Sequence, residues 1–235
     1  MIRFASLGSG SEGNGLLVES GATRILADCG FTLADTVARL SRLGVEADAI
    51  DAILITHEHD DHVGGAARFA RKYDIPVWIT YGTLQASSRL FANPPPSVNI
   101  FDCHRRFAVG DLEIKPYTVP HDAREPAQFV FGDGSSRVGL LTDAGSLTAH
   151  MQSVLSGLDA LVLECNHDST MLWEGAYPHR LKERIAGRFG HLANDTAAEL
   201  LSLIDCSRLK HLVAAHLSKQ NNDPDRKSTR LNSSH

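Results

Sequence analysis

Ile53-Leu54-Ile55-Thr56-His57-Glu58-His59-Asp60-Asp61-His62-Val63-Gly64-Gly65 is the stretch on which the reading of this chain turns. Its centre puts three imidazoles and a carboxylate into the pattern His-x-His-x-Asp-His. Imidazole and carboxylate together suit zinc, manganese or iron. Four ligands within six residues are more than one mononuclear catalytic centre can use while keeping a position for water. The pattern therefore implies two divalent metal ions, zinc first, with manganese or iron(II) as alternatives.

The flanks set the local geometry. Residues 52–56 are apolar and β-branched and read as a buried strand, while residues 63–72 have helical spacing with Gly64 and Gly65 near the start. The histidines are thus expected on the turn between strand and helix. A helix presents residues three or four apart on one face and a strand presents alternate residues, so neither can aim His57, His59, Asp61 and His62 at one spot. A solvated loop with Asp60 or Asp61 capping the helix would account for one carboxylate and for none of the histidines.

Three more candidate ligands stand at similar junctions. Residues 112–119 alternate towards His121, the apolar run 138–141 leads to Asp143, and 212–215 ends at His216. Each lies where a strand meets a loop, which is where rigid scaffolds carry chemistry. A single histidine at a strand end has a bland reading as a hydrogen-bonded surface group. That reading loses its force when three such positions accompany the first motif.

On these residues the chain resembles the metallo-β-lactamase-fold hydrolases. The signature at 53–65 is followed in order by Thr118-Val-Pro-His121-Asp122, Leu141-Thr-Asp143-Ala-Gly145 and Ala214-Ala-His216-Leu-Ser218. The resemblance implies an α+β fold, an αβ/βα four-layer sandwich of two mixed sheets flanked by helices. It also implies that His57, His59 and His121 hold one metal, that Asp61, His62 and His216 hold the other, and that Asp143 bridges them. Within the superfamily, the segments 4–14, 26–30, Leu163-Glu164-Cys-Asn-His167-Asp168, 177–182, Gly190-His191-Leu-Ala193-Asn194 and 216–222 are similar to the YycJ/WalJ-like branch. That branch implies a metal-dependent 5'-exonuclease or phosphodiesterase acting on single-stranded DNA or RNA. Ala193 stands where the branch has serine.

The order Glu164, His191, His216 is also similar to transfer-RNA-processing ribonuclease Z. This implies that a glutamate and a histidine outside the metal shell assist cleavage. The expected catalytic set is Asp61, Asp143, His191 and Glu164, with His191 giving a proton to the leaving oxygen and Glu164 orienting it. A helix cap beside Gly190 is the competing reading of His191. Asp28, at a strand end, is expected to orient a ligand histidine. The loop of Ser9, Ser11 and Asn14 is expected to border the metal cleft, and His167 and Asn194 to contact substrate or to stabilise a turn. A thioester or lactam hydrolase on the same ligands is the alternative, since one fold and ligand set serve many chemistries. A non-enzymatic regulatory protein with a relic metal site is a third reading, against which the seven ligands weigh.

The rest of the chain narrows the class. Gly8-x-Gly10-x-x-Gly13 fits a dinucleotide-binding pattern, but an apolar strand follows it where pyrophosphate binding needs a helix N-terminus, so no nucleotide cofactor is expected. The 235 residues, 43% hydrophobic, can bury a large core, and one hydrolase domain is expected over 1–224. Residues 225–235 carry one apolar side chain and are expected to be a disordered or non-native tail. No run reaches membrane-span length, and Met1-Ile-Arg-Phe4 leads into a strand, not a signal peptide, so the expectation is a cytoplasmic protein with no membrane partner. Cys29, Cys103, Cys165 and Cys206 have no metal or disulfide spacing and read as reduced thiols. The net charge of −5 is unlike that of a non-specific duplex binder. Arg180, Lys182, Arg184 and Arg188 form a basic stretch at helical spacing, which reads as a solvated helix face or as a track for a nucleic-acid backbone. The oligomeric state is not legible. Helices are expected over 32–43 and 83–91, strands over 76–80 and within 107–141, and later strands at 160–164 and 211–214, with a break at 93–97.

Overall fold

The computed structural model describes residues 1–223; the tail expected over 225–235 lies outside them. Two compact units make up the chain. The first comprises Met1–Pro116, Ala123–Ala127 and Phe131–Ser136, and the second Tyr117–Asp122, Gln128–Val130 and the chain from Arg137.

The first unit contains a six-stranded mixed sheet in the order β1 (Arg3–Gly8), β2 (Gly15–Ser20), β3 (Thr23–Ala27), β4 (Ala52–Leu54), β5 (Val77–Ile79) and β6 (Val98–Ile100). The strands from β1 to β3 run antiparallel, and those from β3 to β6 are parallel. Parallel neighbours need crossovers. These carry α1 (Leu33–Arg42), then α2 (Asp60–Val63) with α3 (Ala66–Tyr73), then α4 (Tyr81–Ala86). Helix α1 starts where expected because the Thr32 side chain accepts from the Asp35 amide at 3.2 Å. All three residues of β4 are buried, as a parallel strand covered on both faces requires. Leu26, Ile53, Ile55, Phe69 and Ile79 anchor the core of this unit.

Three expectations are corrected here. The helix read over 63–72 is two helices, and Asp61 and His62 lie inside the first of them, not on the preceding turn. The break has a packing cause: the Gly65 amide donates to Cys29 O at 2.8 Å, and a Cβ on Gly65 would stand 1.9 Å from Phe31 O. The helix expected over 83–91 ends at Ala86, where the Ser87 hydroxyl turns back to Thr83 O at 2.6 Å. Strand β6 was not expected, since three residues directly after the proline run give too short a pattern to read.

A second mixed sheet has the order β12-β11-β10-β9-β8-β7. Its strands are β7 (Phe107–Val109), β8 (Leu112–Thr118), β9 (Ala127–Gly132), β10 (Arg137–Leu141), β11 (Ala160–Glu164) and β12 (His211–Ala215). Strand β7 belongs to the first unit and β10 to β12 to the second; β8 and β9 have residues in both. Strands β10, β11 and β12 are parallel neighbours. The second unit also holds α5 (Ala149–Leu155), α6 (Ser169–Glu174), α7 (His179–Ala186) and α8 (Asn194–Leu203). Its core gathers Leu141, Met151, Leu161, Leu163 and Leu200 around the fully buried Tyr117. The Tyr117 hydroxyl donates to Leu140 O at 2.7 Å, so burying the phenol leaves no unmet donor. Among the described residues no helix is long and apolar enough to cross a membrane, and all four cysteines are free.

Candidate functional site

In the first unit the candidate ligands follow β4. His57 and His59 lie on the loop after that strand, and His59 is the N-cap residue of α2, which carries Asp61 and His62. No side chain caps this helix, so the capping reading of Asp60 or Asp61 has no support. A second pair of groups sits behind the histidines. His62 Nδ1 is 2.8 Å from Asp28 Oδ2, and the Thr56 hydroxyl lies 3.0 Å from His57 Nδ1 and 3.0 and 2.9 Å from the two oxygens of Asp28. A ring that commits Nδ1 as a donor carries its lone pair on Nε2. His62 Nε2 faces Asp61 Oδ2 at 3.5 Å, and His57 Nε2 faces His59 Nδ1 at 3.0 Å. Nitrogen and carboxylate donors thus converge, with the His57 and His62 rings oriented from behind by oxygen partners, which is the arrangement that metal-ligating histidines require. Asn14 touches the same group, with Nδ2 at 3.0 Å from Asp61 Oδ2. Ser9 and Ser11 are exposed on the loop before Asn14.

The main chain holds this loop in place. A Cβ at Gly30 would stand 1.7 Å from Asp61 O, so only glycine allows the segment after β3 to lie against the ligand helix. Cys29 beside it is pushed up to about 12 by burial, with Asp28 adding to the rise against a hydrogen bond from Thr36, and so stays a protonated thiol. Asp28→Asn is expected to weaken metal affinity about 10- to 100-fold while the chain stays folded, because an amide can donate to His62 Nδ1 and reverse its tautomer. Competition with a chromogenic chelator measures this.

In the second unit the candidates cluster at the carboxyl ends of the parallel strands. Asp143 lies two residues beyond β10, Glu164 ends β11, and His216 follows β12 directly. Asp143, His216 and, in the first unit, Asp28 have φ of 51°, 52° and 62°, the left-handed region. Asp143, Glu164, His191 and His216 offer ligand atoms that all lie within 4.8 Å of one another.

Glu164 is fully buried and takes four donors. Oε1 is 2.8 Å from His191 Nδ1 and 3.0 Å from His216 Nδ1, while Oε2 accepts from the amides of Ala144 and Leu192 at 2.9 and 3.2 Å. Both oxygens used in this way suit an orienting group better than a metal ligand. His216 then presents Nε2 as its donor atom. Burial alone would raise the Glu164 carboxyl, but the charge and hydrogen bond of His191 and the hydrogen bond of His216 outweigh it and hold the carboxyl low. Burial pulls His191 down, yet the charge and hydrogen bond of Glu164 prevail and raise it. Both shifts favour a carboxylate beside an imidazolium. His121 turns Nδ1 to Gly190 O at 3.1 Å and Nε2 towards Asp143 Oδ1 at 3.8 Å.

His191 does not cap a helix: Ala193 is the N-cap residue of α8. A Cβ on Gly190 would meet Arg184 O and Ile185 O, each at 2.2 Å, so glycine at this position lets the His191 backbone lie against α7. His167 is buried and bridges to Ala193 through its backbone, and burial lowers its pKa to about 4 against the pull of Glu164. It holds a turn. Asn194 is also buried and bonds Asn222, whose amide nitrogen reaches the carbonyls of Cys165 and Asn166 at 2.6 and 3.0 Å. The basic stretch is corrected: α7 ends before Arg188, and Lys182 is buried with Nζ on Trp173 O at 2.7 Å. Thr56 and Asn222 are supporting residues without a role in the sequence reading. The only signal for each is its place directly beside a ligand or inside a quoted motif.

The chain belongs to the beta-lactamase superfamily, whose domain matches residues 23–216. It has the metallo-β-lactamase fold, shown by its likeness to the fold protein YhfI of Bacillus subtilis, with a TM-score of 0.78 at 18% identity over 99% of this chain and 92% of that one. Within the superfamily it is similar to the exodeoxyribonuclease YycJ of Bacillus anthracis, 36% identical over 94% of this chain and 84% of that one. The exodeoxyribonuclease WalJ of Streptococcus pneumoniae is 34% identical over 94% and 83%.

Proposed function

We propose that this chain is a metal-dependent phosphodiesterase that degrades single-stranded nucleic acid from an end, with DNA as the substrate that its relatives' names support. The donors that the resemblance assigns are His57, His59, Asp61, His62, His121, Asp143 and His216, for two zinc, manganese or iron(II) ions. The donor chemistry fits such ions: imidazoles and carboxylates, with His62 and His216 backed by the buried carboxylates Asp28 and Glu164. When bound, the ions neutralise phosphate charge and activate a water nucleophile.

The observation that carries a phosphodiester reading is the His191–Glu164 pair. A sugar alkoxide is a poor leaving group and needs a proton. His191 is partly exposed, and its Nδ1 is held by Glu164, so Nε2–H is the hydrogen it can offer. The carboxylate strengthens the ring's hold on its proton and fixes its direction.

His191→Ala is therefore expected to keep the metal content of the unmodified chain and to lose about 100-fold in rate on a single-stranded oligonucleotide. On a nitrophenyl phosphodiester, whose leaving group departs without protonation, the loss should be much smaller. Equal losses on both substrates would remove the proton-donor role. A glutathione thioester and a cephalosporin in the same panel test the substrate class, and faster turnover of either than of the oligonucleotide would overturn the phosphodiesterase reading.

A further inference from the structure

The second unit presents a large aromatic ring to solvent beside this site. Phe189 is 56% exposed, yet the backbone around it is among the most constrained in the unit. Phe189 O accepts from the Asp122 amide at 2.9 Å, Arg188 O accepts from the Ser146 hydroxyl at 3.1 Å, and Gly190 O meets His121 Nδ1 at 3.1 Å. A Cβ on Gly145 would stand 2.3 Å from Gly190 N and 2.5 Å from Arg188 O, so the two segments touch backbone to backbone. The segment 188–191 is thus tied to the residues that follow His121 and Asp143, and its last residue is the proposed proton donor. A solvent-facing phenyl ring carried on a backbone segment held in this way is suited to a flat partner.

Cations flank it. Arg180 and Arg184 stand one turn apart on α7, and Arg188 follows that helix. Arg184 is engaged by Asp122 Oδ2 at 2.6 Å. Among the described residues Arg180 and Arg188 make no ion pair, and both are exposed. In a chain of net charge −5, an exposed ring directly after an exposed arginine suits a flat π-system carrying negative charge.

We propose that Phe189 is the stacking platform for a base of the single-stranded substrate, and that Arg188 contacts an adjoining phosphate. This rests on the phosphodiesterase reading and deepens it by giving the substrate a defined contact. Stacking accepts any base, since each has a π-face, so the contact predicts binding without strong sequence preference.

The test is equilibrium binding, by fluorescence anisotropy, of a 5'-phosphorylated phosphorothioate single strand labelled at its 3' end, which resists cleavage by the metal-loaded chain. Phe189→Ala and Phe189→Leu should each weaken binding about tenfold, while Phe189→Trp keeps or improves it. Tyr81→Ala, at an exposed aromatic of the first unit, should bind as the unmodified chain does. Arg188→Ala should flatten the dependence of log affinity on log salt by about 0.7, the amount expected for one phosphate contact to a single strand. Melting curves and metal content of each variant check folding. Binding by Phe189→Leu equal to that of the unmodified chain, or an equal loss in Tyr81→Ala, would overturn the stacking role, as would absence of any binding by the unmodified chain. Nitrophenyl phosphodiester hydrolysis by the unmodified chain separates the two readings. Hydrolysis with no effect at Phe189 defeats the platform alone, and binding through Phe189 with no hydrolysis defeats the activity alone.

Discussion

Asp143→Ala is expected to lose metal and hydrolytic activity together, by at least about 100-fold, the upper range seen when even an outer partner of a ligand is removed. Asp143 is buried at a left-handed φ of 51° at the end of the parallel strand run. Alanine there removes the donor and also strains the backbone, so Asp143→Asn is the sharper variant: asparagine accepts a left-handed backbone and keeps the side-chain volume, changing little but the charge. Metal analysis of the purified variants, alongside rates on an oligonucleotide, gives the result. Full metal content with lost activity would move Asp143 out of the ligand set and into a role in substrate chemistry.

Glu164→Ala should be the most destabilising single change within the second unit. It would leave two backbone amides and two imidazole nitrogens facing a cavity, the imidazoles with only Asp143 Oδ1 at 3.5 Å as a nearby carboxylate. A loss of roughly 3–5 kcal/mol is the order expected for opening a buried charged network. That corresponds to a fall in melting temperature of roughly 10 °C for a chain of this size. Glu164→Gln keeps the volume but must turn its NH2 either on the two amides or on the two histidines, so it should recover part of the stability and little of the activity. Calorimetry of both variants with metal removed isolates the fold from the ligand. A melting temperature within 2–3 °C of the unmodified chain, a shift of only about 1 kcal/mol, would show that the network matters to chemistry alone.

Much of this was legible because the chemistry sits at strand ends. The apolar runs before His57, Asp143 and His216 are long or regular enough to read as strands, and the residue after such a run has few places to go. Glu164 was legible by position but not by function: its partners Ala144, Leu192 and His216 lie 20 to 52 residues away, and no local pattern brings four donors to one carboxylate. Thr56 reads as the β-branched end of a strand, although its hydroxyl links Asp28 to His57. The split between α2 and α3 was hidden for a related reason. Gly64 and Gly65 are tolerated in a continuous helix, and what breaks it is the bond of the Gly65 amide to the carbonyl of Cys29, a tertiary neighbour. Short elements such as β6 fall below the length at which periodicity carries information.

The left-handed backbone at Asp28, Asp143 and His216 sets selection for stability against selection for activity. At each of these positions the conformation favours glycine or asparagine, and the proposed chemistry admits neither. A lineage released from its substrate would therefore drift first at these three residues, gaining stability as it lost function. In a set of related sequences, glycine or asparagine at these positions would mark the members that have given up the reaction while keeping the fold.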